Sequence, residues 1–413
     1  MPTITSTRPA ELDAAVRQRF ALHGGGRRVG VELEVLPLSA STGAAVPPTD
    51  GPDGEGTLGV LQALGARGVW RVEDTGYGVP RFVLPDGSVI TYEPGGQLEW
   101  SSAVHDSLES LDVAMRDRCD RLAAAMGEAG IRLLARGVDP VTALDDATMV
   151  VSGERYRRQR AHYDRRGPAG RTMMLQTAGI HLNLDAGNDP IAAWNVANTI
   201  APLLVAMFAN SPSRAGSTMA HRSHRAAIWR ALDPTRTAVF VPADDPVPAY
   251  RDFALGAHSF LLGDAGEVAR SFAEWRADGA TEDDFARHLT TLFPEVRPRG
   301  DYLELRSVDA LPARMTIVPL AVAWASLHHA PLRAEIVREI PPATIERLLC
   351  AGRDGLGDPS LGAESLWLAE RVPAALAALS VESELVERVQ GFFEEFTMRG
   401  RDPGGAAESW LET

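Results

Sequence analysis

Residues 28–36 read RVGVELEVL, and in the second half of this stretch apolar side chains alternate strictly with glutamates. Strict alternation predicts a β-strand, because successive side chains of a strand point to opposite faces of the sheet. Glu32 and Glu34 then share one face, while the apolar side chains around them share the other. Two neighbouring carboxylates repel each other, so this face is expected in water or beside a cation.

Three further stretches predict strands with the same division into a polar and an apolar face. Each places polar side chains at every second position. One of them contains a Pro-Gly-Gly turn, which separates Glu93 from a short strand. The three stretches, with the side chains expected on the polar face, are GIHLNLD at 179–185 (His181, Asn183 and Asp185), YLELRS at 302–307 (Glu304 and Arg306) and YEPGGQLEW at 92–100, continued by one serine (Gln97, Glu99 and Ser101).

The polar faces have two interpretations. A sheet with one face in solvent explains any single strand, but solvent faces usually mix Thr, Lys, Ser and Glu. Here four strands offer mainly Glu, His, Asn and Arg, and five glutamates with one histidine suffice to surround two hard cations. Oxygen-rich ligands favour magnesium or manganese over zinc. Two such ions together with Arg306 would neutralise a polyphosphate.

The composition excludes several phosphate-handling classes. All 41 Lys+Arg residues are arginine, because the chain contains no lysine. A Walker A loop, a Schiff-base enzyme and a protein kinase each need a lysine, so these three classes are ruled out. Any bound phosphate must therefore be held by arginine, backbone amides or metal.

Charge and cysteine content narrow the partners and the compartment. The formal charge of -14 disfavours nucleic acid or an anionic membrane as the main partner. The two cysteines, Cys119 and Cys350, are too few for a disulfide framework or a cysteine-based zinc site. No stretch approaches the roughly 20 apolar residues that span a bilayer, and residues 1–8 lack the order of a signal peptide. These features predict a cytoplasmic protein whose partners are small molecules.

Helical segments surround the predicted strands. Asp106 and Glu109 suggest a capping box before an amphipathic helix, and Asp189 with Pro190 predicts the start of another helix that Pro202 should kink or break. From about residue 312 onward the pattern is mainly helical. Strands and helices mix without a regular βαβ rhythm, which predicts an α+β fold around an antiparallel sheet.

Six segments together resemble the glutamate-cysteine ligases of the plant and actinobacterial type, within the glutamine-synthetase-like superfamily. EPGGQ followed by Glu99, and HLTT followed by FPEVR, are the most specific of them. LDPTR at 232–236 and the PEVRPRG run look most like the branch that supplies γ-glutamylcysteine for ergothioneine synthesis. In chain order the segments are GVELEV (30–35), YEPGGQLEWS (92–101), TMMLQTAGIHLNLD (172–185), FANSP (208–212), HRSHRAAIW (221–229) and HLTTLFPEVRPRGDYLELRSVDA (288–310).

The resemblance implies a fold and an extent. It implies a glutamine-synthetase-like, funnel-shaped antiparallel β-sheet with helices packed outside, whose concave face carries ATP, metal and glutamate. It also implies a single catalytic domain over residues 1–413, with a core at 28–310 and a helical part at 311–413.

The resemblance further implies which residues do the chemistry. By similarity to the superfamily, Glu34, Glu93 and Glu99 hold one Mg²⁺ or Mn²⁺ ion. Glu32, His181 and Glu304 hold the other. Arg306 contacts the transferring phosphoryl group and is catalytic together with Glu304, and Arg222 contacts the carboxylate of an amino-acid substrate.

Two more residues are predicted to contact substrate, Asn183 and Tyr156. Tyr156 lies in the basic stretch at 154–166, whose arginines and tyrosines are also typical of RNA binding. The acidic whole argues against RNA. The tyrosine spacing resembles that of the ligase family, which favours a mobile loop over the substrates.

The implied reaction joins the γ-carboxylate of L-glutamate to the amine of L-cysteine at the expense of ATP, through γ-glutamyl phosphate. Two alternatives stay open: the same chemistry with a different amine acceptor, and a non-catalytic ligand-binding relative. The sequence contains no recognisable motif for the cysteine pocket, and it does not predict the oligomeric state.

Overall fold

The computed structural model describes residues 9–20, 26–50, 56–215, 217–218, 221–263 and 269–405. The segment at 1–8, on which the prediction about a signal peptide rests, lies outside these residues.

The strands belong mostly to one large sheet. They are β1 (Val29–Ser39), β2 (Arg71–Asp74), β3 (Pro80–Val83), β4 (Val89–Tyr92), β5 (Leu98–Ser101), β6 (Ile131–Leu134), β7 (Gly179–Leu184), β8 (Ser213–Arg214), β9 (Ser217–Thr218), β10 (His258–Ser259), β11 (Arg270–Ser271), β12 (Val296–Pro298) and β13 (Leu303–Asp309).

Helices occupy most of the remaining chain, and the last third is almost entirely helical. They are α1 (Pro9–Arg19), α2 (Thr57–Gly68), α3 (Leu108–Glu128), α4 (Glu154–Asp164), α5 (Ala169–Gln176), α6 (Pro190–Met207), α7 (His224–Arg230), α8 (Val247–Gly256), α9 (Phe272–Ala277), α10 (Glu282–Leu289), α11 (Ala313–His328), α12 (Ala330–Glu339), α13 (Ile345–Asp354), α14 (Pro359–Ala369), α15 (Val372–Ala378) and α16 (Ser383–Glu395), with 3₁₀ turns at Gly355–Gly357, Thr397–Arg399 and Pro403–Gly405.

The large sheet is antiparallel at every pairing within the described residues. Its strand order is β12-β13-β7-β1-β5-β4-β3-β2, and β6 pairs with the second half of β1. The longest strand, β1, therefore lies at the centre, between β7 and β5. The predicted α+β class with an antiparallel sheet is confirmed.

One face of this sheet forms the hydrophobic core. Val31 and Leu33 of β1, Leu182 of β7 and Leu305 of β13 are all buried and belong to one continuous cluster. Helices α3, α6 and α11 contact the strands that carry these side chains. Burial of each such side chain stabilises the fold by roughly 1.5–3 kcal/mol, so the sheet's register is fixed and its polar side chains must lie on the opposite face.

Helix α6 is the most apolar element. Its start is as predicted, because Asp189 is the N-cap and its side chain accepts a hydrogen bond from the Ala192 amide. Of the kink or break predicted at Pro202, the break is wrong, since the helix continues to Met207, and the kink stays a prediction. Contrary to the expectation that no stretch approaches a membrane-spanning length, this helix is long and apolar enough to cross a membrane by length and composition, but 78% of it is buried inside the protein.

The C-terminal helices extend the same core. Helix α11 packs against α3, α6 and α12, and α16 packs against α11 and α15. Phe392 and Phe393 of α16 belong to the same continuous hydrophobic cluster as the central strands. The single-domain extent remains a prediction, and this shared core supports it.

Candidate active site

The polar side chains of the central strands lie opposite one another in register. Glu32 on β1 pairs across with His181 on β7, and Glu34 pairs across with Glu99 on β5. Directly opposite residues of an antiparallel pair share one face, with Cβ atoms about 5 Å apart. The register therefore gathers four of the predicted ligands on one side of the sheet.

The turn between β4 and β5 adds a fifth predicted ligand, Glu93. The amide of Glu93 donates to the carbonyl of Gln97, at 2.8 Å, and closes the turn. The Gln97 side chain donates to the carbonyl of Thr177, at 2.9 Å, which ties the turn to the end of α5. Gly95 lies so close to the backbone of Leu175 that no side chain fits there. The EPGGQ motif thus forms a turn whose contacts hold Glu93 beside the sheet.

Glu34, Glu93 and Glu99 form a cluster of three carboxylates, which we call the first carboxylate group. One oxygen of each residue lies within 4.8 Å of the others. Burial, and then the charge of Glu34, raise the pKa of Glu93 to about 8. Burial, with the neighbouring glutamates, raises the pKa of Glu99 well above its usual range. Three carboxylates this close need protons or a cation between them, so the group fits a hard divalent ion.

Glu32, Glu99 and His181 form a second group of the same size. The Nδ1 atom of His181 lies 2.6 Å from Oε2 of Glu32. Burial opposes ionisation of Glu32, but the hydrogen bond and the charge of His181, together with the charge of Arg306, outweigh it and lower the pKa of that carboxyl. The other ring nitrogen, Nε2, is buried and has no hydrogen-bond partner within the described part of the chain. An orphaned imidazole nitrogen facing carboxylates fits a metal ligand.

Glu304 has different neighbours. It accepts from Arg306, and it forms ion pairs with Arg297 at 3.2 Å and with Arg299 at 3.4 Å. Burial raises its pKa, yet Arg297 and Arg306 overcome this effect and hold the pKa far below the usual range. Glu304 belongs to neither of these two carboxylate groups, and its assignment as a ligand stays a prediction.

Arg306 lines a cavity that the two carboxylate groups also line. Its guanidinium is 5.5 Å from the ring of Trp229 and 5.8 Å from that of Phe293. The cavity has a volume of about 190 Å³. It is lined by Glu32, Glu34, Glu93, Pro94, Glu99, Arg155, Tyr156, Gln159, Met173, Met174, Thr177, His181, Arg225, Trp229, Thr290, Phe293, Arg297 and Arg306.

A second cavity, of about 290 Å³, shares the lining residue Glu32 with the first. Apolar, hydroxyl and charged groups line it, among them Val104, Ser102 and Tyr302. Arg28 lies at its wall and pairs with Asp185, at 2.9 Å. The two cavities therefore share Glu32, a member of the second carboxylate group.

Three of the four residues predicted to contact substrate line these cavities. Tyr156 lines the smaller cavity on helix α4, so the basic stretch at 154–166 is largely helical instead of a loop. Asn183 lines the larger cavity and donates to Oε1 of Glu32, at 3.2 Å. Arg222 lines neither cavity; its Nε donates to Asp402, at 2.6 Å, near the chain's C-terminal end.

Sequence reasoning missed Arg225 and Arg297. Arg225 follows Arg222 by three residues in the HRSHRAAIW segment, lines the smaller cavity and packs against Gly179. Arg297 lies opposite Glu304 in the pairing of β12 with β13. Both arginines belong to segments that the resemblance singled out, so the motifs signalled the region without indicating which arginine faces the cavity.

Asp309 explains why the FANSP and HRSH segments lie together. This buried carboxylate accepts from the amide of Asn210 at 2.8 Å, from the Ser211 hydroxyl at 2.7 Å and from the Ser223 hydroxyl at 2.9 Å. It thereby fixes the end of β13 to the N-cap of α7. Since α7 carries Arg225, the hydrogen bonds to Asp309 position one wall of the cavity.

Comparison with known proteins agrees with this geometry. A model of the glutamate-cysteine ligase family 2 matches residues 28–391. The chain belongs to this family. The matched residues include every strand of the large sheet and all predicted site residues.

Relatives within the family come from bacteria and plants. Glutamate–cysteine ligase EgtA of Mycolicibacterium smegmatis is 34% identical over 318 residues, which cover 71% of this chain and 73% of that protein. EgtA of Mycobacterium tuberculosis is 32% identical over 332 residues, 74% of this chain and 73% of that protein. A chloroplastic glutamate–cysteine ligase of rice is 32% identical over 255 residues, 58% of this chain and 51% of that protein.

Solved structures resemble the chain more distantly. The glutamate–cysteine ligase of Francisella tularensis, solved in complex with AMP, aligns with 93% of this chain and 84% of that chain, at a TM-score of 0.49 and 15% identity. A bifunctional glutathione synthetase of Pasteurella multocida aligns with 94% of this chain and 49% of that chain, at a TM-score of 0.49 and 14% identity. The sequence relatives, and not these scores, carry the family assignment.

Proposed function

We propose that this protein is an ATP-dependent ligase that joins the γ-carboxylate of L-glutamate to the amine of L-cysteine. The products are γ-glutamylcysteine, ADP and phosphate, and γ-glutamyl phosphate is the intermediate. Family membership and the names of the bacterial and plant relatives support the reaction. The observation that carries the proposal is the pair of carboxylate groups that share Glu99 beside Arg306 in one cavity.

The donor set suits Mg²⁺ or Mn²⁺. Glu34, Glu93 and Glu99 would hold one ion, and Glu32 and His181 the other, with Glu304 as a further candidate ligand. Carboxylates with a single imidazole are hard donors, which these ions prefer. When bound, the ions would neutralise the polyphosphate and hold its oxygens in place.

The two cavities that share Glu32 suggest how the substrates are arranged. The smaller cavity takes the amino acids, because its lining includes the buried guanidinium of Arg225. The larger cavity takes the nucleotide, whose base and ribose meet its apolar and hydroxyl-bearing walls. The γ-phosphate then lies near Glu32, within reach of both groups of carboxylates.

The arginines have separate roles in this arrangement. Arg306 donates to the phosphoryl group as it passes from ATP to the γ-carboxylate of glutamate, where charge builds up on the equatorial oxygens. Arg225 binds the α-carboxylate of an amino acid; its guanidinium donates to the carbonyl of Arg306 at 3.1 Å, and no carboxylate forms an ion pair with it among the described residues. The α-carboxylate would supply that missing charge.

The chemistry needs little beyond this positioning. The γ-carboxylate attacks the γ-phosphorus of ATP and ADP leaves, and the amine of cysteine then displaces phosphate from the acyl phosphate. The chain's residues hold the reacting atoms together and exclude water from the acyl phosphate. The likeness to the two EgtA proteins supports the ergothioneine branch, and a cytoplasmic location fits the two unpaired cysteines.

The test is turnover by the purified protein. ADP release is measured with ATP, Mg²⁺ and glutamate, with and without cysteine, and γ-glutamylcysteine is detected by mass spectrometry. Cysteine-dependent release together with that product supports the proposal. Turnover that prefers another amine keeps the mechanism and changes the acceptor, whereas no turnover with any amine favours a ligand-binding relative.

A further inference from the structure

Strand β13 contains a bulge at the residue that matters most for the chemistry. Leu305 pairs with Leu182 of β7, and Val308 pairs with Ile180, so three steps along β13 match two steps along β7. Two residues of β13, Arg306 and Ser307, therefore lie where β7 has only one residue. A bulge of this kind re-aims a side chain and is held in place by specific contacts.

Glu295 supplies those contacts, although it does not line the 190 Å³ cavity. Its carbonyl oxygen accepts from the amide of Arg306, at 3.0 Å. Its side-chain Oε2 accepts from the hydroxyl of Ser307, at 2.6 Å. Both residues of the bulge are therefore bonded to one residue, which is 8% exposed.

Two arginines of helix α7 also contact Glu295 and the bulge. Arg230, at its C-terminal end, donates to Oε1 of Glu295 at 2.5 Å, and its side chain is only 5% exposed. Arg225, five residues earlier in the same helix, donates to the carbonyl of Arg306. The amide and the carbonyl of Arg306 are thus both held, and the carboxylate of Glu295 bridges the helix to the bulge.

A buried ion pair is a costly way to join two elements. Its desolvation penalty often equals or exceeds the attraction, and apolar replacements are commonly as stable. The Arg230–Glu295 pair therefore contributes little net stability that apolar packing would lack. It does fix direction, because a bidentate acceptor can hold Ser307 and Arg230 at the same time.

We propose that Glu295, with Arg230 and Ser307, is the positioning residue for Arg306 in the ligase reaction. The proposal rests on the function proposed above and deepens it. Glu295 acts through Arg306 and does not itself touch substrate. Its role is to keep the β13 bulge in the one conformation that directs the Arg306 guanidinium over Trp229 and into the cavity.

Two variants test this role at different strengths. Glu295→Gln keeps the shape and an acceptor oxygen but removes the charge that faces Arg230. Ser307→Ala removes a single hydroxyl and leaves the ion pair intact, so it remains informative if the first variant folds poorly. A matched control is Glu364→Gln, which removes the charge of another partly buried glutamate, paired with Arg347 between α13 and α14.

We expect kcat to fall about 10- to 100-fold in Glu295→Gln and Ser307→Ala, because small displacements of a catalytic group have effects of this size. KM for ATP and for the amino acids should change much less. In an Arg306→Ala background the same substitutions should cause no further loss, because residues that act as one unit are not additive. Glu364→Gln should keep wild-type kcat at a similar change in thermal stability.

A crystal structure of Ser307→Ala supplies a readout independent of turnover, namely the position of the Arg306 guanidinium. A displaced guanidinium supports the proposal, and an unmoved one overturns it. Wild-type kcat in both variants overturns it, as does a full additional loss in the Arg306→Ala background. Wild-type protein that turns over no amine at all would instead overturn the ligase function, and the structure would still decide the positioning role.

Discussion

The two nitrogens of His181 have opposite surroundings: Nδ1 lies 2.6 Å from Oε2 of Glu32, and Nε2 is buried with no hydrogen-bond partner among the described residues. Nε2 lies 3.9 Å from Oε1 of Glu34. A histidine that binds a metal commonly donates its other N–H to a carboxylate, which fixes the ring. Nε2 is therefore the ring nitrogen available to a cation, and the hydrogen bond to Glu32 fixes the orientation of the ring.

Replacing His181 by alanine should weaken Mn²⁺ binding by at least about 10-fold, since even orienting partners of metal ligands contribute this much. The measurement is a titration that follows free Mn²⁺ by electron paramagnetic resonance. His328→Ala is a matched control, because its Nε2 is also buried with no hydrogen-bond partner in the described part of the chain, but His328 belongs to neither carboxylate group. Equal Mn²⁺ affinity in the two variants would remove His181 from the metal site.

Substitutions of Arg225 and of Arg222 should differ in their effect on the KM for glutamate. Arg225 lines the cavity, whereas Arg222 pairs with Asp402 and its side chain is 44% exposed. We expect Arg225→Lys to raise KM for glutamate by about 10-fold or more, because an ammonium cannot reproduce the planar fork that holds a carboxylate.

Arg222→Gln serves as the comparison and should leave KM for glutamate nearly unchanged. Steady-state kinetics at saturating ATP and cysteine measures both values. A larger rise in KM for Arg222→Gln than for Arg225→Lys would restore the assignment that the sequence alone suggested.

The sequence predicted the strands well because a period of two is a local property. Arg28 to Leu36 was expected as a strand, and β1 runs from Val29 to Ser39. The predicted start of α3 is wrong by one residue: the cap is Ser107, whose side chain accepts from the Ser110 amide, and not Asp106. Pro202 does not end α6, since packing of a fully buried helix outweighs the local preference of one residue.

Site residues were predictable only as far as strand alternation or a motif fixed their direction. Alternation places Glu32 beside Glu34 on one face without any knowledge of the fold. The arginines around Glu304 depend instead on which strands pair, and β12 lies beside β13 only in the folded sheet. Glu295 shows the same limit, because its contact with Ser307 follows from a bulge that sequence patterns do not reveal.

Acid should destabilise the protein partly through His288. This side chain is fully buried, its Nε2 donates to the carbonyl of Ala254 at 3.0 Å, and burial lowers its pKa to about 3. An unfolded histidine has a pKa near 6.5, so between about pH 6.5 and 3 the unfolded state binds the extra proton. The free energy of unfolding must then decrease as the pH falls through this range.

His288→Gln should flatten this dependence by up to about 1.4 kcal/mol per pH unit, because glutamine does not titrate. Urea unfolding of both proteins at pH 7, 6 and 5 provides the comparison, and the difference cancels the carboxylates that titrate in both. Parallel curves for wild type and variant would show that His288 takes up its proton equally in the folded and unfolded states, so that burial does not lower its pKa.

The EPGGQ turn offers a test of how the first carboxylate group is built. A Cβ on Gly95 would meet the carbonyl oxygen of Leu175 and lie 2.5 Å from its Cα. Backbone atoms cannot rotate away, so Gly95→Ala must displace either the turn or the end of α5. Since Glu93 lies on this turn, we expect a loss of about 1–3 kcal/mol of stability together with weaker Mn²⁺ binding.

Gly127→Ala separates the effect of a methyl group from the effect of the turn. Gly127 is in helix α3 with open space around its Cβ position, so alanine there should stabilise the protein by about 0.5–1 kcal/mol. Thermal unfolding and the Mn²⁺ titration are measured on both variants. If Gly95→Ala binds Mn²⁺ as tightly as Gly127→Ala does, then Glu93 does not depend on the turn, and its place beside Glu34 and Glu99 must come from the sheet alone.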